Sequence, residues 1–121
     1  MRRWRLSLKP ADKTARAIGL LGLCAKAGRV VVGVPLICTA LQTGAKNKTP
    51  LVVLLAEGCA PNTTKRITDR TTFYGVPLIR LPIDTAALAH AVGKRDAAVA
   101  AVGVTEEHLA AAILAAMKEE I

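Results

Sequence analysis

The segment with the most chemical potential is Glu57-Gly-Cys-Ala-Pro-Asn-Thr-Thr-Lys-Arg66. A cysteine leaving a strand just ahead of a helix can serve as a low-pKa nucleophile. A phosphatase-type loop, however, wants a cysteine, five residues and then an arginine. Here five residues lead from Cys59 to Lys65, and Arg66 comes one position late. Lysine cannot make the planar two-point contact that arginine makes with phosphate. Pro61 also removes a backbone donor from the cradle. No acid or base partner stands out, so Cys59 reads as a packed residue at a strand exit and no catalytic residue is assigned.

Other candidate sites fail on similar grounds. Gly44-Ala-Lys-Asn-Lys-Thr49 lacks the Gly-Lys-Thr core of a phosphate-binding loop and precedes a strand, where a nucleotide cradle opens a helix. Gly19-Leu-Leu-Gly22 has no strand feeding it, so it is not a dinucleotide fingerprint. Cys24, Cys38 and Cys59 are widely spaced, and no Cys-x-x-Cys or His-x-x-x-His pair occurs. Neither a zinc site nor a disulfide framework is expected, and a reducing, cytoplasmic setting fits. Cys24 and Cys38 fall among apolar residues and read as core. His90 and His108 are isolated and read as boundary or surface residues. No metal or cofactor is expected.

The charge pattern points elsewhere. The chain carries 17 Lys+Arg against 9 Asp+Glu, a net +8. All basic residues but Lys118 lie in residues 1–95, and five of the acids lie in 96–121. A basic body with an acidic end predicts an anionic partner on one side, nucleic acid being the simplest. Lys65, Arg66 and Arg70 crowd one predicted helix, with only Asp69 in opposition. Arg66 and Arg70, four apart, repel each other unless a polyanion faces them. Further cations sit at element junctions: Lys26 and Arg29, Lys46 and Lys48, Lys94 and Arg95. These are expected to gather on one rim and hold phosphates. Trp4, Phe73 and Tyr74 are the only aromatics, which disfavours an aromatic sheet platform for single strands. Structured RNA fits better than duplex DNA, because no recognition-helix pattern occurs.

The elements that must position these groups alternate regularly. Asp12 is placed to cap a helix running to about Ala27 and stopped by Gly28. Gly19 and Gly22 within it suggest close packing against another element. Val30–Val32 reads as a strand, and Pro35 opens a helix ending at Gly44. Leu51–Ala56 is a continuous apolar run, as in a strand buried on both faces. Asn62 is placed to cap a helix to about Tyr74, and Val76–Leu81 is the next strand. Asp84 or Thr85 caps a short helix ending at Gly93, and Ala97–Val102 reads as the last strand. Thr105 is placed to cap a final helix carrying Glu106 and Glu107 in its first turn.

This order predicts an α/β fold, a three-layer α/β/α sandwich around a four-stranded mixed sheet. The direction of the last strand stays open. Residues 1–10 read as a basic, mobile arm, and residues 11–121 as a single domain. The charged groups Lys9 to Arg16 separate the basic start from the apolar stretch Ile18–Ala25, which argues against an export signal. Apolar runs such as Leu51–Ala56 are far too short to span a bilayer, so no membrane partner is expected.

Several stretches together resemble a known family. They are Leu20-Leu-Gly-Leu-Cys-Ala-Lys-Ala-Gly-Arg29, Gly33 to Gly44, Leu51-Val-Val-Leu-Leu-Ala-Glu-Gly-Cys59, Asn62-Thr-Thr-Lys-Arg-Ile-Thr-Asp69, Gly75-Val-Pro77 and Leu88-Ala-His-Ala-Val-Gly-Lys94. In this order and spacing the chain is similar, over about Lys13 to Leu114, to the L7Ae/L30e-type ribosomal proteins and their small bacterial relatives. The resemblance implies an α/β/α sandwich that binds kinked RNA, commonly a kink-turn, without catalysis. It also implies that RNA is gripped at the helix start after Gly33. There the family pattern is roughly Gly-x-Asn-Glu-x-x-Lys, whose polar side chains read tandem G·A pairs.

Here Pro35 stands for the Asn, Leu36 for the Glu and Thr39 for the Lys. Each lost base-edge contact removes roughly 1–3 kcal/mol of discrimination, by analogy with DNA. The family's second contact, an apolar loop against a bulged nucleotide, maps to Leu81, Pro82 and Ile83. The expected RNA-binding residues are therefore Lys26, Arg29, Gly33, Val34, Pro35, Leu36, Lys65, Arg66, Leu81, Pro82, Ile83, Lys94 and Arg95. The partner is structured RNA, with ribosomal RNA among the candidates, and kink-turn specificity is altered or lost. A second reading makes Val34-Pro35-Leu36 an apolar patch that docks a protein partner or forms a homodimer. A third, less favoured, is a Cys59-based enzyme.

Overall fold

The computed structural model describes residues 10–45, 48–94 and 97–118. The elements are α1 (Pro10–Lys26), β1 (Val30–Val32), α2 (Val34–Thr43), β2 (Val52–Leu55), α3 (Pro61–Tyr74), β3 (Leu78–Arg80), α4 (Thr85–Ala91), β4 (Ala101–Val104) and α5 (Glu107–Lys118). The four strands lie in the order β1-β4-β2-β3. β2 and β3 are parallel, whereas β4 runs antiparallel to both its neighbours, β1 and β2. The sheet is therefore mixed, and the direction of the last strand is settled as antiparallel.

Two apolar layers sandwich the sheet, because alternate residues of a strand face opposite sides. Val52, Leu54, Val102 and Val104 join Leu21 of α1, Leu88 of α4 and Ile113 of α5. Val53, Leu55 and Ala101 join Ile37 and Leu41 of α2 and Ile67 of α3. Every residue of β2 is buried, which is why it reads as an unbroken apolar run. Cys24 and Cys38 are core residues, as expected. None of the described helices is long and apolar enough to cross a membrane.

Element ends follow local chemistry in some places and depart from it in others. Gly44 and Gly75 close α2 and α3 in the left-handed conformation, with φ of 64° and 69°. α1 begins at Pro10, so Asp12 lies inside the helix instead of capping it, and only residues 1–9 of the expected arm lie outside the described residues. Ala60, not Asn62, holds the cap position of α3 and makes no side-chain bond there. Pro61, with its fixed φ, opens the helix.

The last strand is displaced from the expected Ala97–Val102 to Ala101–Val104, where three valine-rich partners on β1 pair with it. Of the two α1 glycines, a β-carbon on Gly22 would sit 3.7 Å from the Ala91 carbonyl oxygen, an ordinary contact. One on Gly19 would meet nothing within 4 Å, so close packing does not account for that residue.

The expected Thr105 cap of α5 is supplied instead by Glu106, whose Oε2 accepts the Leu109 N–H at 2.6 Å. That bond lowers the Glu106 pKa, helped by His108, while slight desolvation opposes it. A carboxyl group lowered on folding adds stability that is fully present above the ordinary carboxylate range. The contribution is lost as pH falls through the lowered value. Replacing Glu106 with alanine is therefore expected to lower the thermal midpoint at neutral pH, with the gap from wild type closing in acid. Melting curves across pH 2–7 check this; a gap independent of pH would contradict it.

Candidate functional site

α2 and α3 begin with no acidic residue at the cap or in the first turn, and both starts border one groove. α2 starts at Gly33, which holds φ 96° and has no side chain to cap the helix. Gly33 donates its N–H to Ala101 at 2.9 Å and accepts from Ile37 N–H at 3.0 Å. The N–H groups of Val34 and Leu36 precede that first helical bond and have no intrahelical acceptor. α3 repeats the arrangement: Thr64 N–H bonds Ala60 at 3.0 Å, so those of Asn62 and Thr63 are left over. Each helix also carries proline at its start.

A groove of about 560 Å³ is lined by Val32–Pro35 from one side, by Asn62, Thr63 and Arg66 from α3, and by Ala98–Ala100 ahead of β4. None of these residues is a carboxylate. Each helix N-terminus acts as roughly half a positive charge, and Arg66 adds a whole one. α4 and α5 differ, since Asp84 accepts from Ala87 N–H at 2.8 Å and Glu106 caps α5. Among the described residues the groove thus concentrates positive potential with no internal counter-charge, which suits a bound anion.

The fold brings together Gly33, Val34, Pro35 and Arg66, while the other sequence-predicted residues are dispersed. Val34 turns its side chain into the core and offers only backbone. Lys65 sits one residue from Arg66 but, about 100° around the helix, faces solvent and bonds Asp69 at 2.8 Å. That hydrogen bond raises its pKa.

Leu81 corrects the expectation most sharply: it is 0% exposed in the core and cannot touch a ligand with its side chain. Pro82 is exposed and Ile83 half-buried. Their loop is tied to the groove wall, because Val99 donates its N–H to Thr85 at 3.1 Å. Lys94 and Lys48 line a second groove of about 670 Å³ along the free edge of β1, with Val30–Val32, Leu36 and Thr39. The two grooves meet at Val32.

Arg29 lies in a third hollow of about 370 Å³ beside Glu106, Glu107 and His108, where the acids work against an anionic ligand. Lys26 is exposed in the last turn of α1. Lys46 and Arg95 lie outside the described residues. The single cationic rim is therefore replaced, among the described residues, by one groove holding Arg66, a neighbouring one holding two lysines, and a separate hollow holding Arg29. Sequence reasoning missed Asn62 and Thr63 as lining residues. Their signal was a proline-opened helix with no acid in its first turn.

Cys59 is not poised for nucleophilic chemistry. Its thiol donates to Ala56 carbonyl oxygen at 3.2 Å, and burial raises its pKa, opposite to what a reactive thiol needs.

Comparison with known proteins decides the lineage. The family model described as ribosomal protein L7Ae/L30e/S12e/Gadd45 matches residues 16–113. The chain belongs to the L7Ae/L30e/S12e/Gadd45 family. It is 35% identical over 83 residues to a protein of Bacillus subtilis (strain 168) named RNA-binding protein YlxQ, covering 69% of this chain and 78% of the relative. A protein of the same name from Enterococcus faecium is 28% identical over 79 residues, covering 65% and 72%.

Among solved structures, a protein of unknown function from Bacillus halodurans C superposes with a TM-score of 0.76 at 25% identity, covering 87% of this chain and 99% of that one. The 15.5kD RNA binding protein of Giardia lamblia shares the fold, with a TM-score of 0.69 at 13% identity and coverage of 88% and 85%. In this L7Ae-family chain, Pro35, Leu36 and Thr39 are all exposed on α2. They occupy the places of the three polar readers implied by the resemblance, and none carries an amide, carboxylate or ammonium group.

Proposed function

We propose that this chain is a non-catalytic RNA-binding protein that grips the phosphate backbone of structured RNA in the groove between the α2 and α3 starts. The observation that carries this reading is the convergence of two acid-free helix N-termini with Arg66 on a groove that has no carboxylate among the described residues. Family membership and the relatives named as RNA-binding proteins support the same partner. The lysines of the β1-edge groove extend its positive field. Because the three reader positions hold Pro35, Leu36 and Thr39, base discrimination at a kink-turn is weak and the backbone dominates affinity. A cytoplasmic ribonucleoprotein, ribosomal or otherwise, is the setting that fits.

A salt titration tests this by fluorescence anisotropy on a kink-turn RNA and a plain hairpin. Affinity for both is expected to fall linearly on a log–log scale, by roughly 0.7–0.9 per phosphate neutralised. The two RNAs should bind within a few-fold of each other. Absence of binding to either at low salt removes the proposal; strong preference for the kink-turn removes the loss of specificity.

One observation favours a second reading, a protein-docking or homodimer surface. Leu36 is 60% exposed beside the unpaired edge of β1. Val34 is buried, so the apolar patch reduces to Pro35 and Leu36. Sedimentation with and without hairpin RNA separates the readings, since a stable dimer indifferent to RNA favours docking.

A further inference from the structure

We propose that α3 carries a second RNA contact, in which Arg66 and Arg70 hold successive phosphates of a single strand and the exposed Phe73 ring stacks on an unpaired base. This rests on the RNA-binding reading above and extends it beyond the groove. Asn62, Arg66, Arg70 and Phe73 are spaced four, four and three residues apart, so they share one flank of α3. All four are exposed, while Ile67 and Thr71 of the same helix are buried. The stripe begins in the groove, at Asn62 and Arg66, and runs about 16 Å along the helix.

Two arginines outweigh the one acid on this flank: Asp69, three residues from Arg66, is the only acid of α3 and bonds Lys65. Neither arginine has a hydrogen-bond or ion-pair partner among the described residues. At the far end Phe73 is 79% exposed, the most exposed of the large apolar side chains among the described residues. It packs against Tyr74 with ring centroids 4.9 Å apart and planes at 84°. That edge-on contact holds the Phe73 ring in place while leaving most of it in water.

A protein partner docking on a helix face needs apolar anchors at successive turns. Here the preceding turns are cationic, which matches a strand that alternates charged backbone with stackable bases. The sheet is not involved, so the scarcity of aromatics does not matter: one ring at the end of a cationic track suffices.

The test compares a labelled hairpin with the same hairpin carrying a short uridine tail at its 5′ or 3′ end. Anisotropy is measured on the full chain as wild type, Phe73→Ala, Phe73→Trp and Arg70→Ala. One tail should tighten wild-type binding by about tenfold, the scale of a stacked base. Phe73→Ala should erase that gain with bare-hairpin affinity unchanged, Phe73→Trp should keep it, and Arg70→Ala should reduce it. Ultraviolet crosslinking of the tailed RNA should label the tryptic peptide Thr71–Arg80.

A wild type that binds the hairpin but gains nothing from either tail overturns this contact and leaves the groove reading intact. So does a gain that survives Phe73→Ala, including the case where that variant instead dissolves a dimer. Failure to bind the bare hairpin overturns both.

Discussion

Replacing Gly103 with valine is expected to destabilise the protein more than any exposed substitution discussed above. Gly103 lies in β4, between β1 and β2, on the face packed by α2. A β-carbon there would sit 2.9 Å from both Cβ and Cγ of Pro50 and 3.7 Å from Cγ1 of Ile37. The obstacle is a buried proline ring, which cannot swing aside as the tip of a long side chain can. Overpacking of this kind costs about 1–3 kcal/mol and occasionally more. Alanine should give the lower end and valine the upper. Against a total stability of about 5–15 kcal/mol, that is a large fraction.

Urea unfolding should show a lower midpoint with an unchanged slope. The decisive comparison is a double-mutant cycle with Pro50→Gly, which removes the obstructing atoms. If Gly103→Ala costs as much in that background as alone, the notch explanation is wrong.

Charge reversal at Arg66 should give the largest effect on binding. Hydrogen bonds to charged groups contribute about 1.5–3 kcal/mol, so Arg66→Ala is expected to weaken hairpin RNA binding roughly ten- to a hundredfold at low salt. Arg66→Glu should weaken it further by placing a carboxylate between two positive helix ends. Lys65→Ala, one residue away but outside the groove and already bonded to Asp69, should change affinity less than twofold. The Arg66→Ala salt slope should flatten by about one phosphate's worth. Equal losses at the two positions would mean that diffuse charge, not the groove, holds the RNA.

The fold was legible where local chemistry decides it. Gly44 and Gly75 end their helices as their sequence positions suggest, and the apolar run of β2 marks a strand buried on both sides. β4 was misplaced because Ala97 and Ala98, small and weakly strand-forming, look no worse than Gly103 in isolation. Pairing with the β1 valines and the space required by Pro50 choose the register, and both depend on residues far away in the chain.

The site was harder for a similar reason. That α2 and α3 begin without acids is visible in the residues, but their convergence is a property of the sheet order. Nor does the composition say that Arg29 ends beside Glu106 or that Leu81 turns inward, because each depends on which end or layer of the sandwich its element joins.

The central position of the last strand also constrains assembly in time. β1 bonds only to β4, and β4 alone links it to β2. During synthesis, therefore, the earliest strand waits without a partner until some seventy further residues have left the ribosome. Any release of the nascent polypeptide before Ala101 would strand an adhesive valine triplet in the open, and the wall of the groove that begins at Ala98 would have nothing to lean on.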